Sequence, residues 1–190
     1  GPIRSLNKKW EEQSNMKKLD VRQLTLSAMV AAIYFVLSYF GSIFGLTYGP
    51  VQCRFAEALC VLPFLFPSTI PGLFVGCLLT NLMSTVGPLD IVLGSLATLL
   101  GALLTAKMPN RYLAPLPPVI CNGVIVGAMI AWYEVGFGPA LWGAFAFNGV
   151  SVAVGELLAC YILGSILLYA LPRVPYLRRM MPRMTQTSNA

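Results

Sequence analysis

The sequence predicts an all-α membrane protein of six transmembrane helices, with both termini in the cytoplasm. Three observations carry this. Hydrophobic residues make up 57% of the 190 and charged residues only 11%, where a soluble domain usually carries about 25% charged. The charges gather at the two ends and in a few gaps, so the stretch from Val21 to Leu171 is largely apolar and offers water no polar face. The basic residues also obey one sidedness. With the N-terminus inside, Arg4, Lys8, Lys9, Lys17, Lys18, Arg22, Lys107, Arg111, Arg173, Arg178, Arg179 and Arg183 are all cytoplasmic, 12 of the 13, and Arg54 alone falls outside. The inverse orientation fails that test, and so does an odd number of crossings before the Lys107/Arg111 loop.

Residues 1–19 form a polar lead, in which Gly1-Pro2 look like a protease-cleavage scar and are set aside from fold reasoning. No cleavable signal peptide is visible. Asp20 reads as a helix N-cap, and residues 20–171 as the transmembrane domain. The first apolar segment runs from Val21 to about Phe44 and ends at the turn-rich Gly45–Pro50. The second covers about Gln52 to Phe66 with Pro63 inside it, and the third about Ile70 to Met83. Both are short, because a 15-residue helix reaches only about 22 Å across a hydrocarbon core of ~30 Å. They are two short spans or a re-entrant pair. The fourth segment runs from about Leu89 to Ala106, followed by a basic, proline-rich loop over 107–118. The fifth covers about Val119 to Tyr133. The sixth, about Leu141 to Leu171, is long enough to tilt or protrude. A basic cytoplasmic tail, 172–190, closes the chain.

Once the topology charges are removed, a small polar set remains. A charge in lipid costs several kcal/mol unless paired or hydrated, so each member needs a reason. Glu156 lies about fifteen residues into the sixth segment, near mid-bilayer. It is either a ligand-binding or ion-coupling carboxylate, or a packing group tied to an interior donor such as Asn122. Arg54 and Glu57 are three apart and share a helix face, as a local salt bridge or as pocket residues. Asp90 opens the fourth segment, where a carboxylate suits the helix dipole, so N-capping competes with a binding role. Glu134 reads as a solvated loop charge. Gln52, Asn81, Asn122 and Asn148 are amides in apolar surroundings, as interhelical hydrogen-bonders or ligand partners. Trp132, Tyr133 and Trp142 mark an outer aromatic belt, one of which stacks on a flat ligand in the alternative reading. Ala28 and Ala32 form an AxxxA pair that lets another helix approach closely.

Several classes are excluded or disfavoured. There is no basic stripe interleaved with aromatics, so nucleic acid is not the expected partner. The five cysteines are scattered, no CxxC occurs and histidine is absent, which argues against a disulfide framework, a zinc site and any Ser-His or Cys-His catalytic arrangement. The cysteines read as small buried apolar side chains. No GxxxxGK phosphate loop is present, so ATP is not used in this chain by that route and no cofactor or metal is expected. The halves show no repeat, which disfavours an inverted-repeat carrier.

The runs Tyr48-Gly-Pro-Val-Gln-Cys-Arg-Phe-Ala-Glu-Ala-Leu, Leu62-Pro-Phe-Leu-Phe-Pro, Ile70-Pro-Gly-Leu-Phe-Val-Gly-Cys, Asn81-Leu, Leu89-Asp-Ile-Val-Leu-Gly-Ser-Leu-Ala-Thr-Leu-Leu and Leu113-Ala-Pro-Leu-Pro-Pro-Val stand in order and at natural spacing. Over about Asp20 to Leu171 the chain resembles the QueT family. These are substrate-binding S components of energy-coupling factor (ECF) transporters, assigned to queuosine precursors. The resemblance implies a multi-pass protein of the bacterial cell membrane that binds substrate from outside. It implies partners in a transmembrane scaffold subunit and two cytoplasmic ATPases, with ATP used by the latter. It also makes Ala28 and Ala32 the docking face for the scaffold. A deazaguanine ligand such as 7-aminomethyl-7-deazaguanine (preQ1) presents adjacent donors that a carboxylate accepts, and a cation that prefers a second acid. Glu156 with Glu57 or Asp90 fits those roles, with Asn81, Asn122 or Gln52 as amide partners. The expectation from another class is a solitary ion-coupled carrier with Glu156 as proton relay.

Overall fold

The computed structural model describes residues 2–45, 55–84 and 87–182, with side chains from residue 21 onward. Every regular element among them is helical. Helix α1 spans Pro2–Ile43, a 3-10 helix covers Phe55–Phe64, and a 3-10 turn at Pro67–Thr69 leads into α2, Ile70–Leu82. Then come α3 (Pro88–Ala106), α4 (Leu116–Val135) and α5 (Leu141–Leu157). A π-helical stretch, Leu158–Leu163, carries α5 into α6, Gly164–Ala170, and a short α7, Pro175–Arg178, follows.

Among the described residues, four helices are long and apolar enough to cross a membrane: 21–43, 88–106, 116–135 and 141–173. The segments 55–64 and 67–82 are apolar but shorter. Contacts fix the running directions. Gly72 lies against Ser27 and Gly76 against Ala31, so α2 runs parallel to α1. Asn81 meets Ser95 while Cys77 meets Thr98, so α3 returns antiparallel. Gly101 packs on Pro118, and the Leu89 N–H donates to the Tyr133 hydroxyl, so α4 reverses again. Gly123 faces Ala153 and Gly127 faces Gly149, so α5 reverses once more. The 3-10 helix runs with the α5–α6 rod, since Glu57 meets Cys160 and Val61 meets Gly164. Counting the short pieces, six segments alternate in direction.

The expected N-cap at Asp20 is overturned: α1 is already helical from Pro2 and passes through Asp20 without a break. The reason is compositional. From Ile3 to Phe40 there is no glycine or proline, and Lys, Glu, Gln and Met favour helix. At α4 the helix starts at Leu116 rather than near Val119. Pro117 and Pro118 fall in its first turn, where the missing N–H groups have no intrahelical partner to lose.

The 3-10 helix is the centre of the bundle. Every residue from Ala56 to Pro63 is buried, so its all-round apolar sequence reflects a core position rather than a lipid-facing one. Its rise of about 2.0 Å per residue lets ten residues reach roughly 20 Å, where an α-helix would reach about 15 Å. Pro63 lies within its last turn, the helix ends at Phe64, and the Leu65 and Phe66 N–H groups donate back to the Leu62 carbonyl. Two clusters meet on it. One joins Val30, Tyr34, Leu59, Leu62 and Leu73, and the other joins Val61, Leu65, Cys160, Leu168 and Met181.

Candidate functional site

The polar residues singled out by the sequence converge inside this bundle. Glu57, Asp90, Asn81, Asn122 and Glu156 are all buried, none exposed by more than 3%. They arrange in two layers.

The upper layer is a cleft of about 110 Å³ between the last three turns of α1, the end of α2 and the start of α3. Tyr34, Ser38, Thr80, Asn81, Ser84 and Asp90 supply its polar wall, and Phe35, Leu37, Tyr39, Phe55 and Met83 its apolar one. Asn81 is held across the α2–α3 interface. Its Nδ2 donates to the Asp90 carbonyl at 3.0 Å, Ser95 Oγ at 3.2 Å and Cys77 Sγ at 3.4 Å. Asp90 sits in the first turn of α3, yet it caps nothing: the N-cap is Gly87 and no side chain bonds there. Neither Asp90 carboxylate oxygen has a hydrogen-bond partner among the described residues. N-capping is therefore not its role. A buried carboxylate left without donors is costly.

The lower layer lies under Tyr34. Its phenol lines the cleft and donates to Glu57 Oε1. The Cys60 thiol donates to Glu57 Oε2 at 2.9 Å. Cys160 reaches the Glu57 carbonyl at 3.3 Å and lies 3.7 Å from Glu156 Oε2. The π-helical stretch begins two residues after Glu156 and contains Cys160, so it aims that thiol at the 3-10 helix; π-bulges of this kind recur at functional sites. Asn122 is the other deep group. Both its amide atoms are buried without a partner among the described residues. It stands one turn from Val126 on α4, as Glu156 stands one turn from Val152 on α5, and Val126 and Val152 share a core cluster. The expected interhelical bond to Asn122 is thus absent among the described residues.

Other expectations fare differently. Gln52 and Arg54 lie outside the described residues. The pairing partners of Glu57 are Tyr34 and Cys60. Glu134 is exposed and accepts from Asn148 Nδ2 at 2.8 Å, which ties α4 to α5. Trp142 is 75% exposed and lines an open apolar groove with Trp132, Phe137 and Leu93, away from both polar layers. Cys60, Cys77, Cys121 and Cys160 are free thiols, and three of them are hydrogen-bonded rather than merely space-filling. Ala28 and Ala32 are exposed on α1. Only 28% of the most apolar window of α1 is buried, against 50% for α4, so α1 presents a bare face.

Sequence reasoning passed over Tyr34. The signal was available: a phenol in the middle of an apolar span needs a hydrogen-bond partner and therefore points inward.

The fold defines a multi-pass membrane protein with a polar cleft near one end of its bundle. A family model described as "QueT transporter" matches residues 24–173, and the chain belongs to that family. A curated relative, "Queuosine precursor transporter QueT" of Lactococcus lactis subsp. cremoris (strain MG1363), is 32% identical over 101 residues. That match covers 51% of this chain and 59% of the relative's length. No solved structure matches. The chain is a multi-pass protein of the bacterial membrane.

Proposed function

We propose that the chain is the substrate-binding S component of an ECF importer and captures a queuosine precursor of the deazaguanine type in the cleft. The observation that carries this is the Asp90 carboxylate, buried in the cleft wall with neither oxygen partnered among the described residues. Two adjacent donors on the Watson–Crick edge of a deazaguanine supply what it lacks. The aromatic and aliphatic wall beside it suits a flat ring. Glu57 and Glu156 lie beneath, with Glu57 reaching the cleft floor through Tyr34. An aminomethyl cation such as that of preQ1 is drawn toward these acids. Asn122 adds an amide without a partner among the described residues.

In this reading all six alternating segments cross the membrane, and the arginine-rich end, with both termini, faces the cytoplasm. The cleft then opens outward. The bare α1 face with Ala28 and Ala32 docks on the transmembrane scaffold subunit, and two cytoplasmic ATPases supply the energy. The chain itself needs no cofactor. The wording carried by the Lactococcus relative supports the substrate class.

Isothermal titration of the purified chain with 7-aminomethyl-7-deazaguanine tests the substrate. Saturable binding is expected. No binding, with riboflavin or thiamine bound instead, removes the precursor assignment. Co-expression with a scaffold subunit and two ATPases tests the class, because a solitary carrier forms no stable complex with them.

A further inference from the structure

The end of the bundle opposite the cleft carries a second built surface. Two guanidinium groups from different elements lie on two tyrosines of one segment. Arg111, from the loop after α3, stands 4.7 Å from the centroid of Tyr169 on α6, and Arg22, on α1, stands 6.0 Å from that of Tyr176 on α7. The segment bearing both tyrosines is fixed from inside. Met181 is fully buried, and Leu177 and Met180 pack against the same cluster. That anchoring turns Tyr176 outward, and Tyr169, Arg22 and Arg111 are exposed as well. The acids with described side chains are Glu57, Asp90, Glu134 and Glu156, and none of them lies at this end.

We propose that the paired Arg111–Tyr169 and Arg22–Tyr176 sites bind the phosphate headgroups of anionic phospholipids. A guanidinium held over a ring is pre-oriented, and its N–H fork suits bidentate contact with phosphate. Depth selects lipid over a soluble anion or protein. Arg22 follows the first residue of the apolar span 21–43, and Tyr169 sits in the last turn of α6. Both pairs therefore stand at headgroup level, where exposed tyrosine rings are at home.

The test compares melting of the full chain in nanodiscs of phosphatidylcholine with and without phosphatidylglycerol. Wild type is expected to melt a few degrees higher with phosphatidylglycerol, and R22Q/R111Q is expected to lose that rise. R178Q/R179Q removes the same charge at the same end from two arginines that stand over neither ring, and is expected to keep it. Three outcomes overturn the proposal: no lipid-dependent shift in wild type, equal loss in both double variants, which means diffuse attraction, or an equal rise from inorganic phosphate in phosphatidylcholine discs. A protein partner on this face leaves melting insensitive to the lipid and overturns it too. Should R22Q/R111Q fail to fold, Y169L/Y176L replaces it, with the same loss expected. Native mass spectrometry gives a second reading, with phosphatidylglycerol adducts on wild type and fewer on the variant.

Discussion

Tyr34 joins the cleft to the centre of the bundle by donating its phenolic hydrogen to Glu57 Oε1. The bond spans α1 and the 3-10 helix, and Gly76 packs against the Tyr34 Cβ from α2. Tyr34→Phe keeps the ring and leaves a buried carboxylate oxygen short of one donor. The expected cost is about 1–3 kcal/mol of stability, read as a lower Tm in detergent or nanodiscs. An unchanged Tm means that the phenol contributes nothing to holding Glu57.

Asp90→Asn separates binding from packing. Among the described residues the carboxylate oxygens have no partner, so neutralising them is expected to leave Tm unchanged or raise it. Affinity for the deazaguanine moves the other way. Loss of a charge-assisted pair at a buried site corresponds to roughly 1.5–3 kcal/mol, a fall of about 10- to 100-fold in Kd terms. Titration and melting on the same preparation check both signs. A fall in stability with intact affinity assigns Asp90 to packing.

Much of this was legible because lipid leaves few choices. Apolar runs mark helices, so α3 begins within one residue of its expected start at Leu89 and ends at Ala106 as read. The interior acids and amides stood out because the bilayer gives them no other place, and Glu57, Asp90, Asn81, Asn122 and Glu156 are buried accordingly. What stayed hidden depends on tertiary contact. Pro63 signals an irregular segment but not that it winds as a 3-10 helix, since its length is set by the bundle around it. Nothing in Leu158–Leu163 announces a π-helix, and that register shift is what turns Cys160 toward Glu57. Trp142 reads first as a belt aromatic and only alternatively as a ligand-stacking ring, and at the start of α5 it is exposed, which fits the belt.

The α1–α2 contact depends on the absence of a side chain at Gly72. A Cβ there stands 2.1 Å from the Ser27 carbonyl oxygen, which belongs to rigid helical backbone. Gly72→Ala must push the helices apart and is expected to cost about 1–3 kcal/mol. Gly143 is the control: it is helical in α5 and a Cβ there meets nothing within 4 Å. Gly143→Ala is expected to be neutral or to stabilise by up to about 1 kcal/mol. Equal Tm values for the two variants mean that α1 and α2 do not pack this closely.

The exposed face of α1 gives the sharpest separation of transport from binding. Ala28 and Ala32 are four apart and exposed, with Met29, Ile33 and Val36 also bare beside them. A helix face of small residues permits close backbone approach by a partner helix, and bulky side chains there block it. Neither alanine lines the cleft. The double substitution A28L/A32L is therefore expected to leave titrated ligand affinity and Tm near wild type. Uptake by cells supplying the scaffold and ATPases is expected to fall to background, together with loss of the co-purified complex. Normal uptake by A28L/A32L puts the scaffold contact on another face. Lost affinity in the same variant means that α1 shapes the cleft, and the docking role is then withdrawn.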